Sequence, residues 1–221
     1  GEGIVGAAMI EKPSGASILT LNTTNAYAGM TWIKEGALVL NGTIADSRVL
    51  IDSAAAFTNT ASGRLTGNAS LVVNGTATLS GNSDFTGGTT ISVASTFTLS
   101  QVPVVVNDPR ALGAGDVSVL KGTVTFQTSD GSFGQNRTLR IGESNGVNIF
   151  ANGVDVTWLG DVDIFNRNVE IRCQTSGSSF TFGAPDSSSE VRGTSGGGVY
   201  VRTDGDFYWY SRLKFGSGEY R

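Results

Sequence analysis

The feature that most constrains the fold of this chain is an internal repeat. Residues 17–33 and residues 75–91 align without gaps, and six of the aligned positions hold identical or similar side chains. The matched pairs are Thr20 with Thr78, Leu21 with Leu79, Tyr27 with Phe85, Gly29 with Gly87, Thr31 with Thr89, and Ile33 with Ile91. Repeats that cannot bury their apolar side chains alone do so by stacking on their neighbours. The repeat therefore predicts a solenoid.

The repeated segments have the alternating pattern of β-strands. Short runs rich in Val, Ile, Thr and Leu are bounded by Gly, Asn, Ser or Asp. These runs are Ile18–Leu21, Ala37–Leu40, Leu71–Val73, Thr96–Leu99, Val117–Leu120 and Thr123–Phe126. No window combines an apolar stripe of helical period with capping residues, so no helix of more than two turns is expected. We predict an all-β chain, a parallel β-helix (β-solenoid) of about ten rungs at roughly 20 residues per coil.

The second copy of the repeat carries a recognisable motif. It reads Leu79-Ser80-Gly81-Asn82, then Phe-Thr-Gly-Gly-Thr-Thr-Ile over residues 85–91, then Phe97-Thr98-Leu99. This motif resembles the autotransporter-associated β-strand repeat of bacterial autotransporter passenger domains. The first copy is similar but has Gly-Met-Thr-Trp at residues 29–32 in place of the Gly-Gly-Thr-Thr core.

The resemblance covers about residues 10–165 and suggests a division of the chain. Residues 1–165 are expected to form a solenoid with autotransporter-type repeats. Residues 166–221 are expected to continue the solenoid and to end in a segment rich in aromatic residues and arginine.

The resemblance also implies a fold, a location and a function. Passengers with this repeat form right-handed β-helices, are exported, and usually serve as structural or adhesive surface material. We therefore expect a protein that is secreted to the extracellular space or the bacterial cell surface and is not an enzyme. The expected partners are further copies of the chain, joined head to tail or laterally into a filament or surface layer, or a cell-surface carbohydrate ligand.

The composition excludes several kinds of catalytic site, metal site and partner. Without histidine the chain cannot build a Ser-His-Asp or Cys-His site, and with one cysteine it cannot form an intrachain disulfide or a cysteine metal cluster. The net charge of −4 opposes binding to nucleic acid or to an anionic membrane. No apolar run approaches the roughly 18 residues that a membrane span needs. We expect no catalytic residue, no metal, no cofactor, no nucleic-acid partner and no membrane insertion.

Aromatic residues are concentrated in the second half of the chain, with fourteen in residues 111–221 against five in residues 1–110. The densest group is the candidate assembly interface: Phe207, Tyr208, Trp209, Tyr210, Arg212, Phe215 and Tyr220. On a strand, Phe207 and Trp209 would face one side and Tyr208 and Tyr210 the other. Two interpretations stay open. The group either caps the last rung or forms a docking surface, since Tyr, Trp and Arg are enriched at interface hot spots.

Two further functions stand as alternatives. Asp161 and Asp163 would project from the same side of a strand, as a carboxylate pair must in glycoside hydrolysis, which favours a carbohydrate-active β-helix enzyme such as a polysaccharide lyase or hydrolase. The structural interpretation of the same residues is an exposed face whose alternate residues, Val162 and Ile164, fill the core. The other alternative is a phage-fibre-like receptor-binding module, which the lack of coiled-coil heptads disfavours.

Two smaller features have structural interpretations. Asp204-Gly205-Asp206 begins like a calcium loop but lacks the later oxygen ligands, so it predicts a turn. Cys173 alternates with Val169 and Ile171 and is therefore expected to be a small core residue.

Overall fold

A computed structural model of the 221-residue chain describes residues 2–94, 103–127, 132–134, 136–142, 146–165, 169–173, 175–193 and 199–215. In this part of the chain all regular structure is β-strand except a single 3-10 turn at Pro109–Leu112. The strands in chain order are β1 (Val5–Gly6), β2 (Ile10–Lys12), β3 (Ile18–Leu21), β4 (Thr24–Tyr27), β5 (Thr31–Leu40), β6 (Thr43–Ala45), β7 (Arg48–Asn59), β8 (Arg64–Thr66), β9 (Ser70–Val73), β10 (Thr76–Leu79), β11 (Thr89–Ser92), β12 (Val104–Val106), β13 (Val117–Phe126), β14 (Ser132–Phe133), β15 (Thr138–Ile141), β16 (Val147–Ala151), β17 (Asp155–Trp158), β18 (Asp161–Ile164), β19 (Val169–Cys173), β20 (Ser179–Phe182), β21 (Glu190–Gly193), β22 (Val199–Thr203), β23 (Asp206–Trp209) and β24 (Arg212–Phe215).

The strands pair in parallel and stack into three faces of a β-solenoid. Face 1 stacks β2, the first parts of β5 and β7, β9, β11, the first part of β13, β15, β18, β21 and β24. Face 2 stacks β3, the later parts of β5 and β7, β10, β12, the later part of β13, β16, β19 and β22. Face 3 consists of two separate stacks, β1-β4-β6-β8 and β14-β17-β20-β23. The predicted all-β parallel solenoid is thus confirmed.

The number of turns is slightly lower than predicted. About seven turns are complete, with a strand on each of the three faces, against the expected ten. Between β8 and β14, face 3 carries no strand in the described residues, and the chain there makes the 3-10 turn instead. Asp108 caps this turn by accepting a hydrogen bond of 2.9 Å from the backbone N–H of Arg110.

Most of the predicted strands are present, and two of them are joined. The run Ile18–Leu21 forms β3, and Ala37–Leu40 is the later part of β5. The runs Val117–Leu120 and Thr123–Phe126 are one bent strand, β13, because Gly122 continues the chain at a positive φ of 99°. The run Thr96–Leu99 lies outside the described residues.

The core is built of side chains that stack directly above one another along the axis. On face 1 the inward position is occupied in successive turns by Ile33, Ile51, Val73, Ile91, Val119, Ile141 and Ile164. Each of these side chains is at most 3% exposed. This aliphatic stack buries apolar surface between neighbouring turns, which is the main stabilising contribution in such a fold.

The two copies of the sequence repeat occupy equivalent places. Thr31 and Thr89 are both buried at the start of face 1, and Tyr27 and Phe85 are both buried on face 3. Phe85 is not in a strand, but its backbone still bonds to the next turn, because Ala114 N–H donates a hydrogen bond of 2.8 Å to the Phe85 carbonyl. The repeat is therefore a repeat of structural environment.

Glycines allow the turns to approach closely where face 2 bends into face 3. Gly42, Gly63 and Gly81 occupy this corner in three successive turns. A Cβ on Gly63 would lie 2.1 Å from the carbonyl oxygen of Leu40, and a Cβ on Gly81 would lie 1.8 Å from the carbonyl oxygen of Gly63. No side chain fits at these distances, so the spacing of the turns depends on glycine here.

Candidate interaction surfaces

The predicted assembly interface lies on the last turn of the solenoid. β22, β23 and β24 pair with β19, β20 and β21, and within the described residues none of them pairs on its other side. Their outer edges therefore present unpaired backbone groups, which are the usual template for adding a further strand.

The aromatic side chains of β23 alternate between core and solvent, as predicted. Phe207 and Trp209 point inward and pack on Phe182, with ring centroids 5.9 and 5.5 Å from that ring. Trp209 also donates its indole N–H to the Ser211 carbonyl at 3.0 Å. These two aromatic residues therefore close the apolar interior of the last turn.

The other two aromatic residues of this segment are on the outside. Tyr208 and Tyr210 are 44% and 48% exposed, and their rings are stacked 6.4 Å apart at an interplanar angle of 9°. The negative charge of Asp206 raises the pKa of Tyr208, and its carboxylate accepts a hydrogen bond of 3.3 Å from the tyrosine hydroxyl. The segment thus places two rings in the core and two at the surface.

The remaining residues of the predicted interface are only partly described. Arg212 begins β24 and is exposed. Phe215 ends the same strand on face 1, away from β23, while Tyr220 lies outside the described residues.

Asp161 and Asp163 project from the same side of β18, as predicted, and both bind one arginine. Arg192, on the neighbouring strand β21, contacts Asp163 Oδ1 at 2.6 Å and Asp161 Oδ2 at 3.1 Å. The hydrogen bond that Arg192 Nε donates to Asp163, together with the charges of Asp163, Asp161 and Glu190, raises the pKa of the Arg192 guanidinium. One cation therefore sits between the two carboxylates that the sequence suggested as an acid and base pair.

This cluster continues along face 1 as a row of alternating charges. Arg140 contacts Asp116 Oδ2 at 2.8 Å and lies 4.0 Å from Asp163 Oδ2. The other carboxylate oxygen, Asp116 Oδ1, accepts a hydrogen bond of 2.8 Å from the backbone N–H of Thr138. Each of these carboxylates thus links one turn of the solenoid to the next.

A surface groove lies beside this charged row, at the corner where face 3 bends into face 1. We call it the corner groove. It has a volume of about 760 Å³ and is lined by Asp116, Asn136, Arg137, Thr138, Leu159, Gly160, Asp161 and residues 184–189. A second concavity of about 480 Å³, lined by residues 86–90, 114–116, Ser118, Arg137 and Arg140 among others, continues it on the other side of Arg137.

Arg137 is the central side chain of the corner groove. Its Nη1 donates hydrogen bonds to the carbonyl oxygens of Gly113 and Gly115 in the turn before. Its guanidinium lies 5.2 Å from the centroid of the Trp158 ring. Burial lowers the pKa of Arg137, and the nearby charge of Asp116 partly opposes that shift. An arginine nevertheless remains charged at neutral pH.

Arg137 was not among the residues that the sequence predicted to form a site. Asp116, Thr138 and Asp161 are each about one turn apart in the chain, and only the strand register brings them together. The signal in the sequence is a polar residue that recurs every 22 or 23 positions, at or just before the start of a face 1 strand.

The two smaller predictions are confirmed. Asp204 and Gly205 form the corner between β22 and β23, where Asp204 N–H donates to the Cys173 carbonyl and Asp206 N–H to the Ser178 carbonyl. Cys173 is 1% exposed and belongs to the core.

Within the described ranges, no group of three or more Cys, Asp and Glu residues is placed to hold a metal ion. No helix in those ranges has the length and hydropathy to span a membrane.

The geometry defines a parallel β-solenoid with repeated coils, and a comparison with protein families identifies the repeat. The family model of the passenger-associated-transport-repeat matches residues 14–40 and 74–93. The chain therefore contains two passenger-associated-transport repeats, as the sequence motif predicted. No curated protein and no solved structure matches the chain.

Proposed function

We propose that this chain is a non-enzymatic part of an exported passenger, and that it works as structural or adhesive material at the bacterial cell surface. The supporting observation is that both matches to the transport-associated repeat, residues 14–40 and 74–93, form equivalent coils of one solenoid. The repeat thus builds the scaffold itself. A solenoid has an extended surface for its number of residues, which suits contact with other molecules and surfaces.

Export is tested by placing residues 1–221 ahead of an autotransporter translocator domain in a Gram-negative host. The expected result is a chain that externally added protease degrades in intact cells. A chain that the protease reaches only after cell lysis would contradict the proposed location. A periplasmic marker protein reports whether the outer membrane has stayed closed.

We further propose that copies of the chain associate through the aromatic segment of the last turn. Purified protein is expected to form rods or filaments in negative-stain electron micrographs, and removal of residues 205–221 is expected to abolish them. Tyr208 and Tyr210 offer a milder change, since both side chains are exposed and their replacement leaves the core intact. The double variant Tyr208→Ser, Tyr210→Ser should shorten or abolish the filaments.

Tyr200 provides the matched control for this experiment. It is 54% exposed and lies on face 2 of the same last turn. Tyr200→Ser should leave the filaments unchanged if contact is made through face 3. Filaments that persist without residues 205–221 would reject this segment as the contact, and single particles under all conditions would reject self-association.

A further inference from the structure

The corner groove runs along the solenoid axis because it is made of stacked corners. The segments that line it stand just before or at the start of strands of face 1: Asp116 precedes β13, Asn136 and Arg137 precede β15, and Leu159 and Gly160 precede β18. The corner before β21 is longer and supplies residues 184–189 as a wall. The groove therefore spans several turns, which are spaced about 4.8 Å apart.

Arg137 is held in place but keeps hydrogen-bonding capacity. Its contacts with the carbonyl oxygens of Gly113 and Gly115 are made by Nη1, while a guanidinium has five N–H donors on three nitrogens. The Trp158 ring beneath it is almost fully buried and restricts its position. Arg137 is thus ordered before any ligand arrives, which lowers the entropic cost of binding.

Three carboxylates line the corner groove: Asp186 is exposed on its wall, and those of Asp116 and Asp161 are engaged by other groups. Asp116 binds Arg140 and the backbone of Thr138, and Asp161 binds Arg192 and the backbone N–H of Glu190 at 3.0 Å. Among the described residues, no carboxylate lies within ion-pair distance of Arg137. The groove therefore contains a cation without a paired anion.

The rest of the lining is polar and suits hydroxyl groups. Asn136, Thr138, Ser187 and Ser188 contribute amide and hydroxyl groups to the groove walls. Asn136 and Asp186 have positive φ values of 60° and 68°, a left-handed conformation that Asn and Asp adopt more readily than other non-glycine residues.

We propose that the corner groove binds an acidic oligosaccharide, with a carboxylate of the sugar chain on the Arg137 guanidinium. Guanidinium and carboxylate form paired, charge-assisted hydrogen bonds. The hydroxyl and amide groups of the walls bind the sugar hydroxyls, and the turn spacing is close to the length of one pyranose unit. The inference rests on the proposed surface role only in its choice of a polysaccharide as the ligand.

Binding of purified protein to oligogalacturonides, measured by isothermal titration calorimetry, tests this assignment. Neutral dextran oligosaccharides and poly-glutamate serve as comparison ligands. The oligogalacturonide is expected to bind, dextran to bind at least about tenfold more weakly, and added salt to weaken the binding of the uronate. Because the measurement uses purified protein, its failure would leave export and filament formation untouched.

Two variants locate the site. Arg137→Gln should weaken oligogalacturonide binding by about tenfold or more, since a charge-assisted hydrogen bond is lost. Ser188 is exposed in the groove wall, so Ser188→Trp should block the groove without disturbing the core. Ser62→Trp, at an exposed position on another corner, is the matched control and should bind normally.

Thermal melts of each variant establish that it is folded. The assignment is overturned if the oligogalacturonide does not bind, if poly-glutamate binds equally well, or if Ser188→Trp binds as tightly as the unmodified chain. Unchanged binding by Arg137→Gln overturns it as well, because the carboxylate then has another partner.

Discussion

Phe182 shows how single aromatic residues hold the C-terminal turns together. Its ring is fully buried, and it contacts Phe180 in its own turn and Phe207 and Trp209 in the next. Edge-to-face contacts of this kind stabilise a core beyond simple burial of area. The first half of the chain, with fewer aromatic residues, relies on aliphatic stacking instead.

Replacing Phe182 with alanine should therefore be strongly destabilising. We expect Phe182→Ala to lower the free energy of unfolding by about 3–5 kcal/mol, through lost burial and the cavity that remains. Urea denaturation measures the change. Tyr208→Ala, at an exposed neighbouring position, should change stability by no more than about 0.5 kcal/mol. Equal losses for the two variants would contradict the inward and outward assignment of their side chains.

A buried tyrosine makes stability depend on alkaline pH. Burial raises the pKa of Tyr27 above its usual 10.0, although hydrogen bonds with Thr31 and Ser47 lower it in part. The folded state therefore holds the phenolic proton more tightly than the unfolded state. The contribution of Tyr27 to stability is complete below pH 10.0 and is lost as the pH rises through the raised pKa.

The variant Tyr27→Phe should lose less stability on going from neutral to alkaline pH than the unmodified chain does. Denaturation midpoints measured on both sides of the tyrosine pKa check this expectation. Tyr210→Phe, which removes an exposed hydroxyl, should follow the unmodified chain. A parallel decline for all three proteins would assign the alkaline loss to other groups.

Among the structural elements, the corners have to fit the spacing of about 4.8 Å that the strand ladders give to the turns. Gly63 lies against the carbonyl oxygen of Leu40 in the turn before, and Gly81 lies in the same way against Gly63. A side chain at either position would push neighbouring turns apart. The glycine content of the chain thus has a packing reason at this corner in addition to its role in tight turns.

A methyl group at this corner should be poorly tolerated. We expect Gly63→Ala to destabilise the fold by about 1–3 kcal/mol, because the backbone must shift to relieve the overlap. Ser62→Ala, at the exposed position beside it, is the control and should be close to neutral. Chemical denaturation distinguishes the two. A neutral Gly63→Ala would show that the turns are not closely spaced at this corner.

The strands were predictable from sequence to a greater extent than the interaction surfaces. Alternation in residues 207–210 correctly predicted which rings lie on the same side of the strand, since strand period alone decides it. The contact of Asp163 with Arg192 was not predictable, because the two residues are 29 positions apart and the length of each turn varies. Likewise Gly122 bends β13 without ending it, which a search for strand boundaries does not detect.

At the scale of the whole molecule, strand pairing in the described residues joins each turn to the turns beside it, although the rings of Phe126 and Phe180, two turns apart, also approach to 6.4 Å. The strand pairing passes from one coil to the next without long crossovers, so stability is the sum of local terms and nearest-neighbour contacts. A core substitution should then loosen its own region more than a distant one. Such a molecule need not unfold in one step.

Hydrogen exchange of Phe182→Ala tests this locality. Backbone amides of β17, β20 and β23 should exchange markedly faster than in the unmodified chain, while those of β5 and β7 should keep their protection. Ile51→Ala, a core substitution on β7, should give the reverse pattern. Uniform acceleration over the whole chain in both variants would mean that the solenoid opens as a single cooperative unit.

The interruption of face 3 has a mechanical consequence. Faces 1 and 2 keep their strand ladders through the middle of the molecule, whereas between β8 and β14 the third ladder is replaced by isolated hydrogen bonds and the short turn at Pro109–Leu112. A pulling force along the axis would be carried by three ladders near either end but by two at the centre. A stretched molecule would therefore yield first at its middle, lengthening there while both ends keep their shape.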